Sequence, residues 1–234
     1  QTGFTVHLLE DISLKIETGK TSSILAPKGS GKSTLLKIIS GLESVSGDNY
    51  LKQDRRIIYI PSKALSFPWL DVKSNIVYNL KSASEDEINK IITSVGLEGY
   101  ESHYPVNESL GFRFRIAFGR ALIRKPDLIV IDEPFNQMTS GIKEELYNFI
   151  LSIKREFSLT LLIGTSNISE AVLLSDVIYL MDKNPGRIIG RIDNPLNPER
   201  STDIIEDESF LTKRAEIESK IAEINTHKFM DYSF

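Results

Sequence analysis

Apolar and polar residues alternate through LLEDISLKIETGK, and the chain then enters a short apolar run that ends at Ala26. The alternation predicts a hairpin-like opening, and the run predicts a buried strand over Ser22–Leu25. GKSTLLKIISGL follows with leucine and isoleucine at helical spacing and Gly41 as a stop. SASEDEINKIITSVGL has a serine and glutamate start, one apolar face of Ile88, Ile91, Ile92 and Val95, and a terminating Gly96. FRIAFGRALIRKP predicts a helix stopped before Pro126. DLIVIDEPF is a short apolar strand ending in two acids. IKEELYNFILSIKREF is amphipathic, with Ile142, Leu146, Phe149, Ile150 and Ile153 facing inward. LTLLIGTS, VIYLM and RIIGRI read as strands, and NISEAVLLSD as a capped helix. Strands alternating with helices predict a largely parallel sheet covered on both faces. After Asn194 the chain turns polar, and a last amphipathic helix carries Phe210, Ile217, Ile221 and Ile224 on a stripe expected to pack back on the core.

Composition narrows the classes. A net charge of −4 gives no sign of a nucleic-acid partner, which usually meets a basic face. Cysteine is absent, which removes disulfides and thiolate zinc sites. His7, His103 and His227 are scattered, so a histidine metal site is not expected. No opening stretch reads as a secretory leader, and no apolar run nears the ~20 residues of a membrane helix. If the protein serves transport, another chain must supply the membrane path.

Strand, glycine loop and helix come in the order of a phosphate-binding loop, with Ala26 to Ser33 reading A-x-x-x-x-G-K-S. Pro27, Lys28, Gly29, Ser30, Gly31, Lys32, Ser33 and Thr34 are expected to line the phosphates of ATP, with the backbone amides of the loop pointing inward. Lys32 reaches the β- and γ-phosphates, and the Ser33 hydroxyl reaches Mg²⁺. Ala26 replaces the first expected glycine, a mild change at negative φ and one costing about 1–2 kcal/mol at positive φ. Asp132 and Glu133 leave the LIVID strand at its carboxyl end, where open α/β sheets place ligands. Asp132 is expected to hold Mg²⁺ through water, and Glu133 to act catalytically by orienting the attacking water.

APKGSGKSTLLKIISGLE, RIAFGRALIRKPDLIVIDEPF and SEAVLLSDVIYLMD, in this order, make the chain resemble the ATPase subunit of an ATP-binding cassette (ABC) transporter from about Leu8 to Ile192. FPWLDVKSNIVYNL and NPGRIIGRI are most similar to importers for nitrate, sulfonates, taurine or bicarbonate. The resemblance implies an α/β P-loop NTPase fold: a RecA-like, mostly parallel sheet with an antiparallel β opening region and an inserted helical subdomain. Residues 1–61 and 115–194 would form the nucleotide-binding core, 62–114 the helical subdomain and 195–234 a helical tail. It also implies a dimer that sandwiches ATP, transmembrane permease subunits, a possible solute-binding protein, and a peripheral place on the cytoplasmic face of the cell membrane.

The departures from the family pattern are specific. The signature positions, which the family fills with L-S-G-G-Q, hold Glu108, Ser109, Leu110, Gly111 and Phe112. Ser109, Leu110 and Gly111 would contact ATP across the dimer, where Leu110 puts a branched side chain in place of bare backbone. Ser62 stands at the glutamine position that helps hold the metal, and Ser166 at the switch histidine. Asn136, Gln137, Met138 and Thr139 replace the usual S-A-L-D. Phe4 is the nearest aromatic to the adenine-stacking position, and it reads equally as an ordinary core or surface phenylalanine. Phe67, Pro68 and Trp69 read either as the groove for a membrane-subunit helix or as a proline turn pinned by aromatics. Arg113, Arg115 and Arg120 are expected on a solvated or carboxylate-paired face. Two functions follow: a transport-coupled ATPase, the degenerate partner of a more complete cassette in a heterodimer, or an impaired pseudo-ATPase that binds nucleotide and gates a competent partner. A soluble kinase or a repair ATPase would need a lid, long insertions or a basic face, and none is visible.

Overall fold

The computed structural model describes residues 8–44, 55–63 and 65–231. Strand β1 (Thr21–Leu25) leads into helix α1 (Lys32–Ile39), and β2 (Ile57–Ile60) into α2 (Val72–Ile76) and α3 (Glu85–Ser94). Helix α4 (Leu110–Leu122) leads to β3 (Leu128–Asp132), α5 (Ser140–Glu156), β4 (Leu161–Thr165), α6 (Ile168–Leu174), β5 (Val177–Met181), β6 (Ile188–Asp193) and α7 (Glu208–Asp231). The strands form one sheet in the order β2-β3-β4-β1-β5-β6. All neighbours run parallel except the pair β5–β6.

Side-chain alternation along the strands splits the core into two layers. Ile24, Leu128, Val130 and Leu162 meet Leu35, Leu36 and Ile39 of α1 on one face. Ile129, Ile131, Leu161 and Ile163 meet the helices α4, α5 and α6 on the other. Phe114, Phe118, Phe135 and Phe149 stack edge-on or tilted at the centre of that second layer. The face of α3 is the expected one: Ile88, Ile91 and Ile92 are buried, Ser84 and Glu87 close a capping box, and Gly96 takes φ +69°. Helix α4 starts at Leu110 and runs unbroken past residue 115, the expected junction of the core with its insert.

Two expectations change. The opening segment does not form an antiparallel hairpin among the described residues. Residues 8–20 make one parallel bridge, Leu9 to Gly186, and the antiparallel pairing of the fold lies at β5–β6. Leu9, Ile12, Leu14 and Ile16 alternate inward and pack on the α1-side layer, with no ladder among the described residues. Strand β2, which the sequence pattern did not mark, forms the edge of the sheet beside β3. The tail stripe packs back as expected: Phe210 and Ile217 are fully buried and Ile221 lies against them, while the side chain of Ile224 is outside the described residues.

Candidate functional site

The loop after β1 is shaped by two glycines with left-handed backbone, Gly29 (φ 80°) and Gly31 (φ 87°). Gly31 is the N-cap of α1 and has no side chain to cap it, and among the described residues the amides of Ser33 and Thr34 have no acceptor. Uncapped first-turn amides and the helix dipole favour an anion there. Ala26 is buried, lies outside the positive-φ region, and donates its amide to the Thr165 carbonyl at 3.1 Å. Its methyl group therefore carries no backbone strain, and glycine is not required at this position. Ser30 is buried, and its hydroxyl accepts the Lys32 amide at 3.3 Å. Pro27, Lys28, Gly29 and Ser33 are exposed and Thr34 is half-buried.

Lys32 turns inward from the first position of α1. Its ammonium pairs with the Glu133 carboxylate, and both residues are buried. Glu133 follows β3 with φ 45°, uncommon for a residue with a side chain, and its amide donates to the Gly164 carbonyl at 2.9 Å. The Ser166 hydroxyl stands 3.5 Å from the other Glu133 oxygen. The sequence-derived loop, strand-end acid and switch position thus converge on one buried charge pair.

Asp132 is buried beside it. One carboxylate oxygen accepts from the Tyr59 hydroxyl at 2.9 Å, and the other is buried with no partner. Burial and the adjacent Asp132 charge drive the Tyr59 phenol up, so it stays a donor. An orphaned buried carboxylate oxygen is the donor chemistry that a hard cation takes, so Asp132 fits magnesium. Ser62 is half-buried and lines a small cleft of about 120 Å³ with Leu110, Glu133, Asn136, Gln137 and Met138. Leu110 and the segment after Glu133 therefore border the same hollow within one chain. Ser109 is exposed and caps α4, its hydroxyl accepting from the Phe112 amide at 3.1 Å. Gly111 is buried so closely that an added Cβ would stand 3.0 Å from Ile142. Phe4 lies outside the described residues.

Several supporting residues escaped the sequence reading. A Cβ on Gly164 would meet Leu36 at 2.5 Å and Lys32 at 3.2 Å, so this glycine lets α1 approach β4. A Cβ on Gly186 would meet the Ser30 carbonyl at 2.3 Å, so the phosphate loop rests on that residue as well. Glu170 is a buried acid tied to Thr165 and Tyr147, with Lys143 3.6 Å away, and it braces the turn that carries Ser166. Only the close packing of β4 on α1 marks Gly164, and no linear motif reports it.

The arginine expectation holds for Arg115, which pairs with Glu145, and fails for Arg120. Arg113 buries an Nε without a partner. Arg120 points inward, donates to the Asn75 carbonyl and side chain, and lies 4.6 Å from the Phe67 ring centre. Its burial, with Arg124 nearby, pulls its pKa down to about 10. Asn75 is fully buried and also donates to the carbonyls of Phe67, Leu70 and Asp71, so it ties the loop that holds Trp69 69% exposed.

A family model described as ABC transporter matches residues 9–136. The chain belongs to the ABC transporter family. It is 35% identical over 211 residues to an aliphatic sulfonates import ATP-binding protein of Bacillus cereus, covering 86% of this chain and 84% of that protein. A protein of the same name from Bacillus licheniformis is 30% identical and covers 98% of this chain and 93% of its own length. The structure of cbiO1 from Clostridium perfringens, part of the ABC transporter complex cbiONQ, superposes with a TM-score of 0.71 at 21% identity, over 94% of this chain and 92% of that one. That likeness shows that this ABC chain shares its fold. Among the described residues no helix is long and apolar enough to cross a membrane.

Proposed function

We propose that this chain is the ATP-binding subunit of a membrane importer, and that it hydrolyses ATP at a site built on Lys32, Asp132 and Glu133. The observation that carries the reading is the convergence of Lys32, Glu133 and Ser166 behind an uncapped, glycine-shaped helix start. The names of its relatives, aliphatic sulfonates import ATP-binding proteins, support a small organic anion as the transported solute. Transmembrane permease subunits, and a solute-binding protein, would complete the machine, with this chain peripheral on the cytoplasmic face. In this reading residues 62–114 form the lobe that meets the permease, with Trp69 in the contact.

The chemistry follows from the side chains. Amides from Lys28 to Thr34 bind the phosphates, and Lys32 neutralises the β- and γ-oxygens. Glu133 accepts a proton from water as the water oxygen bonds to the γ-phosphorus and the bond to the β-phosphate oxygen breaks, leaving ADP and phosphate. Ser33, Asp132 and Ser62 would hold magnesium, which would supply positive charge to the phosphate oxygens. Lys32 must leave Glu133 to reach a phosphate, which frees the carboxylate for the water.

The substitutions support a degenerate role. Leu110, Ser62, Thr139 and Ser166 alter what the chain lends a partner and what it senses itself, so we pair it with a more complete cassette in a heterodimer. The second reading is a pseudo-ATPase that binds nucleotide and gates that partner. The 3.5 Å Ser166–Glu133 approach favours it, because serine cannot supply an imidazole at that position. Lys32→Ala and Glu133→Gln in the assembled transporter separate the two. A subunit whose own site turns over loses transport and ATP hydrolysis in both variants, whereas a gating pseudo-ATPase loses them only with Lys32→Ala.

A further inference from the structure

Tyr59 belongs to no phosphate-binding motif, and the mechanism above leaves it without a task. Its place follows from strand register. In the parallel pair β2–β3, Tyr59 stands beside Val130. Side chains alternate along a strand, so Val130 and Asp132 share the α1 face, and Tyr59 reaches Asp132 on the diagonal. Packing confirms the face, because Tyr59 lies against the layer that contains Val130, Leu35 and Leu36. Its hydroxyl donates to Asp132 Oδ2 at 2.9 Å. Oδ1 of the same carboxylate is buried, with no partner among the described residues.

The two oxygens are therefore unequal. One is held by a hydroxyl on a neighbouring strand whose ring is wedged in the core. The other is buried and accepts from no described protein group, an arrangement that costs about 1–3 kcal/mol or more for a charged group unless a further donor or cation meets it. A carboxylate free to rotate would share its single donor between both oxygens. Here the donor fixes the rotation and leaves one oxygen open.

We propose that Tyr59 is a positioning residue for the divalent cation. It holds Asp132 Oδ2 so that Oδ1 alone remains available to the metal or to its bound water. The inference rests on the Mg-ATP reading of the site. Residues that orient a metal-binding carboxylate by hydrogen bonding typically contribute 10–100-fold to metal affinity.

The test uses the full chain and a fluorescent ADP analogue, titrated with magnesium and separately in EDTA. Tyr59→Phe removes the hydroxyl and keeps the ring. The expected result is a rise of about tenfold in the magnesium concentration at half-saturation, with metal-free nucleotide affinity unchanged. Direct Mn²⁺ binding followed by electron paramagnetic resonance should weaken by a similar factor. Tyr59→His, which retains a ring N–H donor, should recover part of the loss. Tyr59→Leu should behave like Tyr59→Phe, and replaces it if that variant does not fold. An unchanged magnesium requirement overturns the proposal. So does an equal loss with and without metal, which marks Tyr59 as a packing residue. If the unmodified chain shows no magnesium-dependent binding, the reading of the site falls and the inference with it. If it binds and Tyr59→Phe is indistinguishable from it, only the inference falls.

Discussion

The Lys32 ammonium and the Glu133 carboxylate are paired in the interior, at 5% and 9% exposure, joining the start of α1 to the turn after β3. Each group answers the other's desolvation, so the buried pair is self-neutralised. Phosphate must compete with Glu133 for Lys32. Glu133→Gln removes the competitor and should tighten Mg-ADP binding about tenfold, the scale of one charge-assisted hydrogen bond. ADP is the ligand of choice because hydrolysis cannot confuse the readout. Isothermal titration of the two proteins checks it, and equal or weaker binding by Glu133→Gln would count against the competition.

Breaking the same pair from the other side should be costly. Lys32→Ala leaves Glu133 buried without its partner, and unfolding in urea should show a loss of about 3–5 kcal/mol. The double variant Lys32→Ala/Glu133→Gln should recover most of that loss.

Gly164 carries a second expectation. A methyl group there would overlap Leu36 and press on the Lys32 stem. Gly164→Ala should destabilise the fold by about 1–3 kcal/mol through overpacking. Nucleotide affinity should fall with it, because the displaced element is the one that carries Lys32. Thermal unfolding with and without ADP measures both effects.

Asn75 is the hub of the exposed aromatic loop. Its side chain bonds the Phe67 amide at 2.7 Å and the Arg120 guanidinium at 2.7 Å. Asn75→Ala strands these buried partners and should cost about 2–4 kcal/mol. If the loop serves the permease, assembly of the complex should suffer more than ADP binding by the isolated chain, a contrast that size-exclusion chromatography and titration reveal.

If Leu110 and Ser166 stand at the signature and switch positions, as proposed, restoring those positions is informative. Leu110→Gly together with Ser166→His should raise ATP turnover of the assembled complex about tenfold if these residues limit it, since a single well-placed donor is worth at least that much. Steady-state phosphate release by the original and restored complexes decides the matter.

The legible parts of this chain were those in which local sequence and physics agree. The phosphate loop was readable because glycine, lysine and serine fall at fixed offsets between a strand and a helix. The strand-end acids were readable because LIVID is an unbroken apolar run. In the opening segment alternating burial looks the same whether a strand pairs or lies on a core, and among the described residues Leu9, Ile12, Leu14 and Ile16 lie on the core. Strand β2 was missed because a four-residue edge strand gives little periodic signal. Tyr59, Gly164 and Gly186 act through neighbours distant in sequence, Asp132, Lys32 and Ser30, so register and close packing reveal them. Arg120 was assigned outward because arginine seldom leaves water, and Asn75 supplies the acceptors that let it do so.

The proposed reading stands on Mg-ATP binding by the glycine-shaped loop and its buried ion pair. Equilibrium binding of Mg-ATP to the full chain, beside the Lys32→Ala/Glu133→Gln double variant that leaves no unpaired buried charge, tests it most directly. Saturable, magnesium-dependent binding by the unmodified chain, weakened at least tenfold in the double variant, is the predicted result. No saturable binding, or the same affinity in both proteins, would contradict the account.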